Sequence, residues 1–460
     1  MPEPVWLRPV VSETAFAGDA GDLLEALLDL DPLLLDSGDR PHRSGRPAFT
    51  IVGLLPRRRI SAWVEDGRDP LESLAAALAS HRVPEQGEWP FLGGWMGFFG
   101  YGLRRAFERL PDRHAPFCDL PDLHLVETRL LVLRNEAADR TVVAHLEEPN
   151  DDAGNRFLRR AAAEVCRRLD AVRAPGAWTE GEPAPTGPIV WPDKAEHLAR
   201  VRAALEHIHA GDVYQVNLAH RFQLPAPAHP VRCYRRLRRR NPPAFGGYMR
   251  VGGEVILSLS PERFLEVDGE RVRTEPIKGT APRHEDPEKD AAARRELMTS
   301  EKNLAELAMI VDILRNDLSR VCEPGTVAVD PPLRLESHAT VHHLSAGVTG
   351  RLEEGRGPLD VLRAAFPGGS ITGAPRIRAM QIIDELEACA RGPYTGSLGY
   401  LGFDGRMDLN IMIRTAVLSG GRLHVHAGGG IVADSDPEGE YEETLHKVRA
   451  LLPQVERRLS

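Results

Sequence analysis

A carboxylate and a lysine bracket the stretch Ser258-Leu-Ser-Pro-Glu-Arg-Phe-Leu-Glu-Val-Asp-Gly-Glu-Arg-Val-Arg-Thr-Glu-Pro-Ile-Lys-Gly-Thr280. Glu262 and Lys278 could act together as a general acid and a nucleophile. A second set is acidic. Glu440 and Glu443 lie three apart in the first turns of a predicted helix, so their carboxylates share a face. They either complement the helix dipole or bind Mg²⁺, which takes one or two carboxylates plus substrate oxygens and water. Glu306, on another predicted helix, is either a third ligand or part of a solvated face. Gly428-Gly-Gly430 is either a tight turn or a run of backbone N–H groups open to an anion. Arg414, read as a strand residue between Ile411, Ile413 and Ala416, either pairs with an acid or receives a ligand carboxylate. His343 is either structural or catalytic. No Gly-x-Ser-x-Gly or Gly-x-Cys-x-Gly elbow and no Walker-type loop occurs. The residues alone support a metal-assisted enzyme acting on an anionic small molecule.

These groups need elements to hold them. Asp268-Gly269 between strand-like runs at 262–267 and 270–277 predicts a hairpin. An ideal two-residue turn pairs 262 with 275, and strict alternation then points Lys278 to the other face. Pro276 cannot donate to a ladder and Gly279 tolerates unusual dihedrals, so residues 276–280 are expected to leave the sheet. Upstream, Asp193 caps a helix with Leu198, Val201, Leu205 and Ile208 inside, ended by Gly211. The strand at 213–222 places Tyr214, Val216, Leu218 and Phe222 on one face and Gln215 and Asn217 on the other. One long helix is predicted over 288–320. Strands are predicted at 396–403, at 408–418 and at 422–427, the last broken by the three glycines. A final helix follows Asp436-Pro437, with Leu445, Val448, Leu452 and Val455 inside.

In residues 1–150 short strands, among them 48–52, one run at 125–133 and 141–144, alternate with helical pieces at 23–30 and 70–79. The glycine–aromatic run at 91–102 is read as a close-packed internal strand and turn. A surface helix covers 154–172. Residues 173–188 hold four prolines and three glycines and form the predicted linker between domains 1–172 and 189–460. Strands joined directly to strands, with helices in blocks, imply an α+β fold with antiparallel sheets.

The 460 residues allow two or three ordinary domains, or one large α/β body with an appended half. A net charge of −9 argues against a nucleic-acid binder, and the six arginines of Arg232–Arg240 are read as a solvated helix face. Five scattered cysteines, with no Cys-x-x-Cys, favour a reducing compartment. No signal peptide is visible and no apolar run approaches the roughly 20 residues of a membrane span. A soluble, cytoplasmic protein is expected.

Six ordered motifs then carry a resemblance: Gly211-Asp-Val-Tyr-Gln-Val-Asn-Leu218, Ser260-Pro-Glu-Arg-Phe264, Pro276-Ile-Lys-Gly-Thr280, the run from Ala305 through Asp317, Gly369-Ser-Ile-Thr-Gly-Ala-Pro375, and Glu440-Tyr-Glu-Glu-Thr444. Together they resemble the chorismate-utilising family of aminodeoxychorismate, anthranilate, isochorismate and salicylate synthases. The match runs through 189–460 and, more weakly, through Leu34-Leu-Asp-Ser-Gly38 and Gly93–Tyr101. The resemblance implies large antiparallel sheets packed together with helices outside, as in anthranilate synthase, in two intertwined halves, with 189–460 as the chorismate-binding catalytic domain. Anthranilate synthases typically read Pro-Ile-Ala-Gly-Thr where Lys278 stands, and isochorismate and salicylate synthases typically carry lysine at the position of Gln215. Gln215 with Lys278 is the aminodeoxychorismate pattern.

The implied reaction is amination of chorismate by ammonia to 4-amino-4-deoxychorismate, on the way to 4-aminobenzoate and folate or to a secondary metabolite. Glu262 would protonate the leaving 4-hydroxyl while Lys278 adds at C2. Mg²⁺ would be held by Glu306, Glu440 and Glu443. Arg414, Tyr394 and the N–H groups of Gly428, Gly429 and Gly430 would take the pyruvyl carboxylate. Gly279, Thr280 and Thr372 would lie along the substrate, with His343 near the ring. A separate glutamine amidotransferase would supply the ammonia. Ser37 falls in a motif resembling the family's tryptophan pocket. Leu307 and Arg376 depart from the family's usual His and Lys. The rival readings are an anthranilate synthase component I and a non-catalytic subunit that only partners an amidotransferase.

Overall fold

Alternating apolar residues put each strand to work on two faces at once. In Leu130–Asn135, Leu130 and Val132 face a helical layer, while Leu131 and Leu133 face a second sheet. The same split recurs in Glu254–Ser260, where Val255 and Leu257 face helices and Ile256 faces the other sheet. The structure is a computed structural model that describes residues 3–38, 48–65, 68–84, 87–172, 189–330, 332–337, 341–449 and 451. The predicted linker 173–188, and Leu452 and Val455 of the last stripe, lie outside the described residues.

Two large sheets form the body, one of eleven strands and one of nine, with every pairing inside them antiparallel. Each draws on both ends of the chain. In the larger sheet Leu33–Asp36 pairs with Phe245–Val251, and in the smaller Gly94–Phe99 pairs with Ser397–Gly402. The sheets therefore interleave the two halves. Between them lies a core of Ile51, Met96, Phe98, Leu131, Met249, Leu398 and Val417. The outer face of the larger sheet packs Leu23, Val165, Leu237 and Leu445 from helices. The outer face of the smaller packs Ile310, Leu314 and Leu362. The result is an α+β sandwich of two sheets with helices outside. Among the described residues no helix is long and apolar enough to cross a membrane.

Several elements differ from the sequence expectation. The run 125–133 is two strands, Leu123–Thr128 in the smaller sheet and Leu130–Asn135 in the larger. The chain crosses between sheets at buried Arg129, which bonds Glu127 and Glu148 at 2.6 Å each. The run 408–418 likewise splits into Met407–Asn410 and Thr415–Ser419. The helix over 288–320 breaks at Ser300, whose hydroxyl accepts from Asn303 N to start Glu301–Ser319 after Pro287–Thr299. The arginine helix Pro230–Arg240 is not a purely solvated face: Arg235 is buried against Asp22 and Glu25, and Arg238 against Asp36. Tyr214 does not share the apolar face of its strand; it precedes Gln215–Pro225 and is 73% exposed.

Candidate active site

The hairpin forms one register away from the ideal. Asp268 pairs with Arg271, so Gly269 and Glu270 make the turn, and an irregularity between Arg263 and Glu266 returns Arg263 to Glu275. The chain then leaves the nine-stranded sheet at Pro276, as its missing N–H predicts. Ile277–Pro282 joins a separate three-stranded sheet with Val341–Ser345 and Arg334–Ser337. Gly279 has φ +77°, and the ladder is irregular between Lys278 and Thr280. A side chain at 279 would meet Leu297 at 2.8 Å. Leu297, Leu307, Leu344 and Ala346 pack this small sheet onto the paired helices, which sets Lys278 Nζ 3.7 Å from Glu306 Oε2.

Glu262 is buried just before Arg263–Asp268, its carbonyl accepting from Ile411 N at 3.0 Å. Its Oε1 accepts the Ser370 hydroxyl at 2.7 Å. Ser370 O in turn accepts from Asn217 Nδ2 at 3.3 Å, and Thr372 O from Asn217 N at 2.8 Å. Asn217 pairs with Gly430 across the ladder, and a methyl on Gly430 would lie 3.4 Å from Lys278 Nζ. Hydrogen bonds and strand pairing thus run from the predicted acid to Gly430, and the predicted nucleophile ends close to that glycine. Thr280 Oγ1 and His343 Nδ1 lie 2.9 Å apart one ladder position further along.

The three glycines do not break their strand. Arg422–Ile431 runs through them, paired with Gln215–Pro225, so successive N–H groups alternate in direction and form no anion nest. Their role is to make room. A methyl on Gly428 would meet Leu218 O at 2.4 Å, on Gly429 Glu440 Oε2 at 2.9 Å, and on Gly430 Gln215 Nε2 at 2.4 Å. Gln215 is fully buried with neither amide atom hydrogen-bonded.

The acidic residues carry lysine partners. Glu443, half exposed, meets Lys447 Nζ at 2.6 Å, and Lys447 also donates to Gly428 O at 2.7 Å. Glu440 is buried; its Oε1 accepts from Ser435 Oγ at 2.6 Å and lies 3.8 Å from Lys302. Burial, with the charge of Glu443 added, pushes the Glu440 carboxyl up, while Ser435 pulls the other way. Burial also opposes charge on Glu443, but Lys447, with Lys278 and Lys302, holds it below the usual range. Among the described residues no three His, Cys, Asp or Glu side chains gather as a ready metal cluster. One donor suits a hard divalent cation: Glu440 Oε2 is buried without a partner, and Gly429 leaves the space in front of it clear.

Arg414 is not a strand residue. It sits at the crossing between sheets with φ +48°, its carbonyl accepting from Leu259 N at 3.0 Å. Tyr394 is buried and stacks on His426, ring centroids 5.2 Å apart, and burial pushes its hydroxyl pKa up. Ser37 bonds both backbone groups of Phe49 beside a separate cavity lined by Asp36, Phe49, Phe245, Arg263 and Asp408.

Arg391 and Ser370 escaped sequence reasoning. Arg391 is a buried hub. It donates to Asn217 O at 2.7 Å, Ile371 O at 3.0 Å and Thr395 Oγ1 at 3.2 Å, and its guanidinium lies over Tyr101 and Tyr394. Glu387 neutralises it at 2.6 Å. A charged residue set between small ones, Ala390 and Gly392, was the available signal.

Comparison with known proteins gives the family. The sequence profile described as chorismate binding enzyme matches residues 31–453. Anthranilate synthase component 1 of Streptomyces coelicolor is 44% identical over 98% of this chain and 87% of that protein. Aminodeoxychorismate synthase component 1 of Salmonella typhimurium is 38% identical over 98% and 99%. The crystal structure of anthranilate synthase component I from Streptococcus pneumoniae superposes with a TM-score of 0.76 at 31% identity, covering 88% of this chain and 92% of that one. With a profile match across most of its length and relatives this similar end to end, the chain belongs to the family of chorismate-binding enzymes and is a chorismate-utilising enzyme.

Proposed function

We propose that this enzyme aminates chorismate with ammonia to 4-amino-4-deoxychorismate, a precursor of 4-aminobenzoate. The observation that carries this reading is the placement of Lys278. Pro276 and Gly279 turn it out of the hairpin and toward Glu306 and Gly430, beside the proposed metal carboxylates. Similar proteins carry both the aminodeoxychorismate and the anthranilate synthase names, so the choice rests on this residue.

The neutral Lys278 amine forms a bond to C2 of chorismate. Glu262 gives its proton to the 4-hydroxyl as the C4–O bond breaks, and water leaves. Ammonia then bonds to C4, the C2–N bond returns its electrons to the lysine, and the surplus proton goes back to the Glu262 carboxylate. The sum is chorismate plus ammonia giving product plus water. Only the neutral amine of a lysine is nucleophilic, and the largely buried Lys278 side chain ends 3.7 Å from Glu306 Oε2. Thr372 and Tyr394 shape the substrate walls, with Gly279 and Thr280 along the ring, His343 beside it and Arg414 toward the pyruvyl carboxylate. Glu306, Glu440 and Glu443 would hold Mg²⁺, which when bound would neutralise the ring carboxylate. The "component 1" names of the relatives support a second subunit, a glutamine amidotransferase that delivers ammonia.

Incubation with chorismate, Mg²⁺ and ammonium, followed by product chromatography, tests the assignment. Aminodeoxychorismate is expected; anthranilate as the main product would overturn it in favour of the rival that the Streptomyces coelicolor relative supports.

A further inference from the structure

Ser370 lies in the 366–375 segment between helices Pro358–Ala365 and Arg376–Leu386. That segment is fixed from three directions. Strand Gln215–Pro225 holds it through Asn217, which bonds Ser370 O and Thr372 O. Arg391 holds Ile371 O at 3.0 Å. Helix Glu301–Ser319 closes against Gly369, where a methyl would come within 2.9 Å of Ile313. The two hydroxyls of the segment are used differently. Thr372 bonds back to Gly368 O of its own turn at 3.0 Å, which is local satisfaction. Ser370 reaches across the fold to the carboxyl of Glu262, and both residues are buried, 8% and 4% exposed.

A hydroxyl donated to one carboxyl oxygen restrains the plane of that group. When Glu262 gives its proton to the departing hydroxyl it becomes a carboxylate, and the Ser370 O–H bond to it turns charge-assisted and strengthens. An interaction that grows as charge develops, from a donor already in place, lowers the barrier and not merely the ground state.

We propose that Ser370 is a positioning residue for the general acid, holding the Glu262 carboxyl in its proton-donating orientation and stabilising the carboxylate left behind. This rests on Glu262 being the acid in the reading above, but not on which amine is the product. The test therefore follows chorismate consumption. Ser370→Ala removes one oxygen and is expected to lower kcat roughly 10- to 100-fold, the range for losing a hydrogen bond to a charged group, with KM for chorismate held within about threefold. Combined with Glu262→Gln, the same substitution should cost less than about threefold more, because its partner in the step is already gone. A kcat within about twofold of the parent, a loss carried by KM, or an undiminished loss in the double variant would each overturn the proposal. Failure of the product assignment would show instead as anthranilate formed with the Ser370 effect intact.

Discussion

The two groups of residues proposed to act on chorismate, here called walls, are built on opposite principles. The wall of Glu262, Ser370, Thr372 and Asn217 is buried, and its polar contacts are short links between strands and one pinned loop. The wall of Glu306, Glu440 and Glu443 lies on two helices, and each acid has a lysine near it at 3.7, 3.8 or 2.6 Å. One wall is fixed before substrate arrives. The other is balanced with positive charge from lysines, which the proposed Mg²⁺ would replace. In the proposed reaction, geometry falls to the first wall and charge compensation to the second.

This contrast makes the sharpest prediction. Glu262→Gln should lower kcat about 10²- to 10⁴-fold, and no Mg²⁺ concentration should restore it. Glu443→Gln should instead raise the Mg²⁺ needed for half-maximal rate about tenfold or more, with recovery at high metal. A Glu443 variant with a wild-type metal titration would return that residue to helix capping and break the comparison. A smaller effect with the opposite sign is expected at Lys447. Lys447→Met frees Glu443 from an ion pair that is partly exposed, so Mn²⁺ binding followed by electron paramagnetic resonance should tighten by up to about fivefold, in keeping with roughly 1 kcal/mol for such a pair. Weaker binding would mean that its bond to Gly428 O matters more.

The hairpin and its exit were legible in the sequence because Asp268-Gly269, Pro276 and Gly279 each act through local backbone rules. The shared face of Glu440 and Glu443 was legible for the same reason. What escaped was long-range. Alternation continues unchanged through Arg129 and Arg414, although the chain changes sheets at both, because apolar periodicity does not say which sheet a strand joins. Ser300 offered a capping signal, but the apolar stripe ran on past it. Arg235 and Arg238 read as surface because their acids, Asp22 and Asp36, lie 213 and 202 residues away. The glycine triplet looked like a turn, and the backbone and side chains crowding it, distant in sequence, explain it.

The smallest effect concerns what lies behind the acidic wall. The His197 and His220 rings lie 4.1 Å apart, tilted, beneath the final helix, and His220 bonds Thr444 Oγ1 at 2.7 Å. Burial lowers both, His197 to about 4. The unfolded chain, with histidines near 6.5, then binds more protons than the folded one between about pH 6.5 and 4, so stability falls as pH is lowered through that window. His197→Phe should flatten the decline of Tm over this range by about 2 °C. An unchanged slope would remove these histidines from the balance.

The central claim is that Lys278 becomes covalently bound to the substrate ring. Mixing the enzyme with chorismate and Mg²⁺ while withholding ammonia, then quenching and mapping peptides by mass spectrometry, tests it directly. The account predicts a peptide carrying the mass of chorismate less one water at Lys278, absent from Lys278→Ala and discharged when ammonium is added. Turnover to aminodeoxychorismate by the Lys278→Ala protein at the parent rate, with no adduct on the parent, would contradict it.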